Sequence, residues 1–334
     1  MNERIDPTIT GVYRRFFVDT PVFAEIIDSS IDASDFRNTV IVTTEEGTKR
    51  VLKLASNDFT FPEKMFMWQR TVEEYLDLGY YCPRILCDRN NGFPSVSFRG
   101  HTCFVHAEEY SQYGAAIARN APDEEMTAKT DKYLKDIWSM TAKIAAKKLD
   151  YTDYPSGYCL FEPFSPGDQV DEVMENALKW KRIADSLPTE FSRQVGRIWR
   201  EWNGNREALK ELYRDLPTSV FQGDLNATNL LVDEDGRFMG VYDFNLCGKD
   251  VLLNYLMREN NRSEKIPEVL KIVSEHYRFS EKEKRAALPL FRYVKPLSWD
   301  ELKDAGNDKT AVRRCLDQAE SLLNEDRAFE GCMD

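Results

Sequence analysis

Apolar and polar positions alternate over residues 35–55, in two β-rich runs separated by the polar turn Glu45-Glu46-Gly47, a pattern that predicts a β-hairpin. In its second run Val51, Lys53 and Ala55 share one face and Leu52 and Leu54 the other, which sets a lysine among strand residues. Taken alone, such a lysine also reads as an ordinary edge or solvent-face residue. Thr60-Phe61-Pro62-Glu63 has the form of a capping box with a proline near the first turn. Met65, Trp68, Val72, Tyr75 and Leu76 follow at helical spacing, predicting a helix that runs to about Leu78 and stops near Gly79. Residues 82–86 read as extended, 95–98 as a strand, and 102–106 as an apolar run.

Beyond Glu108-Glu109-Tyr110 the pattern turns helical. Residues 126–148 predict one long amphipathic helix, with Tyr133, Leu134, Ile137, Trp138, Ile144, Ala145 and Leu149 recurring at three and four. Further helices are predicted near 170–187, 190–212, 264–277 and 310–324, and their apolar stripes belong to the core. One strand-rich island, residues 219–246, interrupts this half. No internal repeat or low-complexity segment is present. The implied fold class is α+β, with a small strand-rich lobe, a short connection near residues 106–111 and a larger helical lobe.

With 334 residues, 42% hydrophobic and 31% charged, the chain has the composition of a folded globular protein large enough for two lobes. The net charge of -12 argues against nucleic acid as a partner, since affinity for it depends on clustered Lys and Arg. It favours a cationic substrate, although such a charge also serves solubility alone. The opening residues lack the apolar stretch of a signal peptide and no run approaches a membrane span, so a soluble cytoplasmic protein without a membrane partner is expected. Seven cysteines without CxxC pairing read as reduced thiols, which makes the sequons at Asn226 and Asn261 chance matches. His101, His106 and His276 are too few for a histidine-rich metal centre or for much choice of a catalytic triad. Lys179-Trp180-Lys181-Arg182 reads as a solvated helix face, and the aromatics of residues 151–164 as either a substrate wall or core.

The island carries the chemistry. Asp235-Gly236 is a hairpin-turn signal between residues 230–232 and 238–242, and a turn centred on Gly236 places Asn229 and Asp243 opposite each other, about 5 Å apart. An amide oxygen and a carboxylate at that separation suit one divalent ion that prefers oxygen, of which Mg²⁺ is the natural choice. Asp224, on the loop entering the hairpin, would lie beside the ion and accept a proton from a hydroxyl nucleophile. Singly, Asp224 reads as a turn former, Asn229 as a strand start and Asp243 as a helix cap. Jointly, Asp, five residues to Asn, a hairpin and then Asp-Phe form a much less common pattern.

Gln222-Gly223-Asp224-Leu225-Asn226-Ala227-Thr228-Asn229, followed by Gly240-Val241-Tyr242-Asp243-Phe244, resembles the catalytic signature of the aminoglycoside phosphotransferase and choline kinase-like family. The resemblance implies a protein kinase-like two-lobed fold with a nucleotide-binding lobe at 1–106, a hinge at 107–111 and a helical lobe at 112–334. It implies ATP and Mg²⁺ as cofactors, Asp224 as catalytic base, Asn229 and Asp243 as metal ligands, and Lys53 on the ATP α- and β-phosphates. It also implies a hinge backbone at Ala107, Glu108, Glu109 and Tyr110 that meets adenine. Three features depart from the family pattern. Gln222 stands where the family usually has histidine. The acidic partner of Lys53 is not evident: helix spacing lands near Trp68 or Gln69, and of Glu63 and Glu73 the latter, one turn on, is the favoured candidate. No glycine-rich loop precedes the first strand of the hairpin; residues 29–35, including Ser34, are either a phosphate cap or an ordinary polar turn. The expected activity is transfer of the ATP γ-phosphoryl group to a small-molecule hydroxyl, aminoglycoside-, choline- or amino-acid-like. A nucleotide-binding pseudokinase is the alternative. Protein kinase activity is disfavoured by Asn245 and by the lack of an Ala-Pro-Glu element after Asp243.

Overall fold

A computed structural model describes residues 5–32, 34–158, 160–161, 171–260, 262–326 and 329–334. The chain forms two compact units, the first gathering the described residues of 1–130 and 224–248, the second those of 131–164, 169–223 and 249–334.

The first unit opens with helix α1 (Pro7–Phe16), started by Asp6, whose carboxylate accepts from Thr8 N–H, and by Pro7, whose fixed φ suits the first turn. Its apolar face, Ile9, Val12, Tyr13 and Phe16, is buried at the spacing of one helix stripe. Strands β1 (Pro21–Asp28), β2 (Phe36–Thr44) and β3 (Lys49–Ser56) follow, with β2 and β3 forming the expected hairpin closed at Gly47, whose φ of 80° suits a residue without a Cβ. Helix α2 (Pro62–Asp77) ends before Gly79 as anticipated. Its start differs from the capping-box reading: the N-cap is Phe61, with no side-chain cap, and the helix opens on Pro62. Strands β4 (Ile85–Leu86), β5 (Ser95–Phe98) and β6 (His101–Glu109) complete an antiparallel sheet ordered β1-β2-β3-β6-β4, with β5 also paired to β6. Its core joins Val40, Val42, Leu52, Leu54, Cys103 and Val105 to the buried face of α1.

β7 (Gly114–Ala115) then pairs with β9 (Leu230–Val232), which pairs with β10 (Phe238–Val241), so residues 224–246 of the strand-rich island belong to the first unit through a second, three-stranded sheet. Gly114 lies opposite Val232 and Ala115 opposite Leu231.

Residues 126–148 do not form one helix. α3 (Asp123–Lys132) and α4 (Leu134–Ala146) are separated at Tyr133, whose φ of -103° and ψ of 10° leave the helical region. α4 carries a buried apolar face and the more polar α3 does not, and packing of such a face supplies most of a helix's stability in a protein. The second unit continues with α5 (Glu172–Asp185), α6 (Ser192–Tyr213) and β8 (Thr218–Phe221), the last paired with β11 (Gly248–Val251). It closes with α7 (Leu252–Glu259), α8 (Ile266–Ser274), α9 (Glu281–Val294), α10 (Trp299–Ala305) and α11 (Lys309–Leu323). Trp202 of α6 stacks on Tyr293 of α9 and donates its indole N–H to the Tyr293 carbonyl at 2.9 Å. The aromatic segment 151–164 lies in part outside the described residues. Among the described residues no helix is long and apolar enough to cross a membrane.

Candidate active site

The part of the strand-rich island around Asp224 and Asn229 folds through short-range polar contacts. Asn226 caps a single 3-10 turn (Ala227–Asn229) by accepting the Thr228 N–H at 3.0 Å, and its amide donates to Asp224 Oδ1 at 2.6 Å. The turn delivers Asn229, buried, with Nδ2 3.3 Å from the Asp224 carbonyl oxygen, which leaves the amide oxygen as the atom available to a cation. Asp224 titrates above the ordinary aspartate value, because burial and the nearby Asp243 charge outweigh the hydrogen bonds from Asn226 and Asn229. Just upstream, in the second unit, Gln222 is fully buried; the Tyr255 hydroxyl lies 3.5 Å from Gln222 Oε1 and accepts the Gly223 N–H at 3.3 Å.

The hairpin register corrects the sequence count. Val241 pairs with Leu230 and Gly240 with Leu231, and Tyr242 N–H donates to the Asn229 carbonyl at 3.1 Å, so Asn229 faces Tyr242 rather than Asp243. An irregularity between Phe238 and Gly240 breaks the symmetry that a count outward from Gly236 assumes. Asp243 lies one residue beyond that pair with φ at 62°, a left-handed conformation uncommon outside glycine. The chain turns there, just past β10, where the Asp243 carboxylate meets Lys53.

Asp243 Oδ1 lies 3.3 Å from Lys53 Nζ, and Glu108 Oε1 lies 3.2 Å from the same nitrogen. Burial alone would lower the Lys53 pKa, but the Asp243 and Glu108 charges raise it, so the amine is held as an ammonium. Burial likewise opposes ionisation of Glu108, yet the Lys53 charge and a 3.1 Å hydrogen bond from His106 Nε2 bring its pKa down to about 2. The register explains the trio: Lys53 on β3 faces His106 on β6, and Glu108 is two residues further along the same face.

This arrangement revises three expectations. Glu73 is not the carboxylate beside Lys53; it pairs with Arg84 at 3.1 Å, both side chains about half exposed, while Trp68 is the α2 residue that reaches the trio, edge-on to His106. The acidic partner comes from a neighbouring strand, a non-local pairing that helix spacing cannot reveal. Ala107 and Glu108 are not connector residues either, since β6 pairs there with β3 on one side and β4 on the other. Glu109 N–H donates to the Arg84 carbonyl, and Tyr110, the first residue beyond β6, has its ring under the Lys49 ammonium. Ser34, finally, gives both its N–H and its hydroxyl to Asp32 Oδ1, at 2.8 and 2.6 Å. That is the ordinary polar turn, and the Asp32 charge there opposes a phosphate.

An amide oxygen from the turn that enters β9 and a carboxylate just past its paired strand β10 make a donor set of the kind that a small hard cation takes when water and phosphate oxygens complete its shell. Asn229 and Asp243 are the residues that would hold it.

An antiparallel sheet unit followed by a mainly helical one is the arrangement of the protein kinase-like small-molecule kinases. Residues 30–254, more than half of the chain, match the phosphotransferase enzyme family (APH), and the chain belongs to that family. No curated protein matches it by sequence. Among solved structures it is similar to a microcompartment-associated aminopropanol kinase, at 15% identity and TM-score 0.53 over 95% of each chain. It is also similar to amicoumacin kinase in complex with AMP-PNP, Ca²⁺ and Ami, at 10% identity and TM-score 0.53 over 97% of this chain and 96% of that one. An aminoglycoside phosphotransferase from Alicyclobacillus acidocaldarius shares 11% identity at TM-score 0.50, over 100% of this chain and 96% of that one.

Proposed function

We propose that this phosphotransferase moves the γ-phosphoryl group of ATP to a hydroxyl of a small molecule, with Mg²⁺ as the metal. The observation that carries the reading is the convergence of Lys53, Asp243, Asn229 and Asp224, from two distant stretches of chain, within one unit. Support for the nucleotide comes from the structural relative solved with AMP-PNP and Ca²⁺. In this reading Lys53 takes the α- and β-phosphates, and Asn229 and Asp243 hold the ion, which when bound neutralises charge on the phosphate oxygens. Asp224 accepts the proton of the substrate hydroxyl as its oxygen bonds to the γ-phosphorus; the bond from that phosphorus to the β-phosphate bridging oxygen breaks, and ADP leaves. Burial and the Asp243 charge raise the Asp224 pKa, which makes its carboxylate a stronger base. The -12 net charge favours cationic acceptors such as amino alcohols and amino sugars.

The test is ATP consumption with Mg²⁺ over a panel of alcohols, amino alcohols and amino sugars, with Asp224→Asn as control. Turnover that falls by about 10² or more in the variant, at unchanged ATP affinity, supports the reading. Binding of ATP without turnover of any panel member would point to the pseudokinase instead.

A further inference from the structure

Two carboxylates meet the Lys53 amine, and they differ in what else they can do. Glu108 is a buried strand residue whose Oε1 takes both the Lys53 ammonium at 3.2 Å and the His106 Nε2 at 3.1 Å. Because a carboxylate only accepts, His106 is the donor there, and its Nδ1 is buried with no hydrogen-bond partner among the described residues. Asp243 is 36% exposed, sits at a strained backbone position and belongs to the metal-binding pair of the proposed function.

We propose that Glu108, oriented by His106, is the positioning residue for Lys53, in place of a carboxylate on α2, and that it keeps the lysine aligned when Asp243 turns to the metal. The proposal rests on the phosphotransferase reading above. A lysine side chain has four rotatable bonds, so an ammonium held by Asp243 alone would lose its orientation once a divalent cation drew that carboxylate away. Glu108 has no such competing duty. Its backbone is locked in the sheet, with Val51 on one side and Ile85 on the other, and its partner His106 lies directly opposite Lys53. The α2 position that reaches this trio is occupied by Trp68, which meets the His106 ring edge-on, and Glu73 is spent on Arg84. Helix α2 therefore contributes an aromatic wall where a carboxylate was expected, and the charge enters from β6.

Calorimetric ATP binding by the full chain, in saturating Mg²⁺ and in EDTA, tests this with Glu108→Gln, Glu73→Gln, Lys53→Met and the Lys53→Met/Glu108→Gln double variant. Glu108→Gln is expected to weaken ATP in Mg²⁺ by about ten-fold, more than in EDTA, where Asp243 still holds the lysine. Glu73→Gln should bind as the parent does, and Glu108→Gln should add little to Lys53→Met, since it acts through the lysine. Should Glu108→Gln melt too early to titrate, Glu108→Asp keeps the charge one methylene short and should show the same preferential loss in Mg²⁺. Parent-like affinity in the Glu108 variants, or an undiminished loss in the Lys53→Met background, overturns the positioning role. An ATP affinity absent in the parent, or unchanged by Lys53→Met, would overturn the phosphotransferase reading itself and this proposal with it.

Discussion

Gly240 lies so close against Tyr81 that a Cβ at position 240 would stand 1.9 Å from the Tyr81 carbonyl oxygen. The Tyr81 N–H donates to the Met239 carbonyl at 2.8 Å, and the Val241 N–H donates to the Tyr81 carbonyl at 3.1 Å, tying the hairpin to the segment after α2. The contact is backbone on backbone, so no side chain can swing away to relieve it. Gly240→Ala should therefore destabilise the protein by about 2 kcal/mol or more. Gly204→Ala, in the middle of α6 with nothing near the new methyl, should stabilise by about 0.5–1 kcal/mol. Urea unfolding midpoints read both, and a neutral Gly240→Ala would show that the hairpin is not anchored there.

Asp243→Asn keeps a side chain that tolerates positive φ and removes the charge facing Lys53. In EDTA, ATP should bind at least as well as to the parent, because a carboxylate near the phosphates is gone. Added Mg²⁺ should then improve affinity far less than it does in the parent. An unchanged response to Mg²⁺ would remove Asp243 from the metal site.

Asp250 is buried in the second unit and accepts from Ser156 Oγ at 2.6 Å, the Tyr213 hydroxyl at 3.2 Å, the Val251 N–H at 2.7 Å and Asn254 Nδ2 at 2.9 Å. Asp250→Ala strands several donors at once and should cost about 3 kcal/mol or more, whereas Ser156→Ala should cost about 1 kcal/mol. Equal losses in chemical denaturation would contradict a shared acceptor.

Lys295, just past α9, gives its ammonium to the Asn260 carbonyl, and burial, aided by the Arg258 charge, pushes its pKa from 10.5 down to about 7. Between those two values the unfolded chain binds more protons at this site than the folded one, so its contribution makes the protein more stable as pH rises from 7 towards 10.5. The stability of the parent relative to Lys295→Met should climb across this window by at most about 1.4 kcal/mol per pH unit. Urea denaturation from pH 6.5 to about 9.5 checks it; a flat difference would mean that Lys295 stays protonated.

The features legible in the residues alone are those with local causes. The β2–β3 hairpin, the phase that places Lys53 on it, the end of α2 near Gly79 and the turn at Gly236 follow from period-two alternation and from residues suited to tight turns. So does the candidate chemistry of Asp224, Asn229 and Asp243, whose spacing spans a single hairpin. α1 went without an expectation, although Asp6-Pro7 and the stripe Ile9, Val12, Tyr13 and Phe16 carry a local signal for it. Tertiary structure alone decided that Tyr133 interrupts a helical pattern, that Asn229 faces Tyr242, and that Lys53 meets Glu108 rather than Glu73. Each depends on a partner remote in the chain, or on a single irregular residue between two strands. Such choices are made by packing and by which strand edges pair, and neither leaves a period in the sequence.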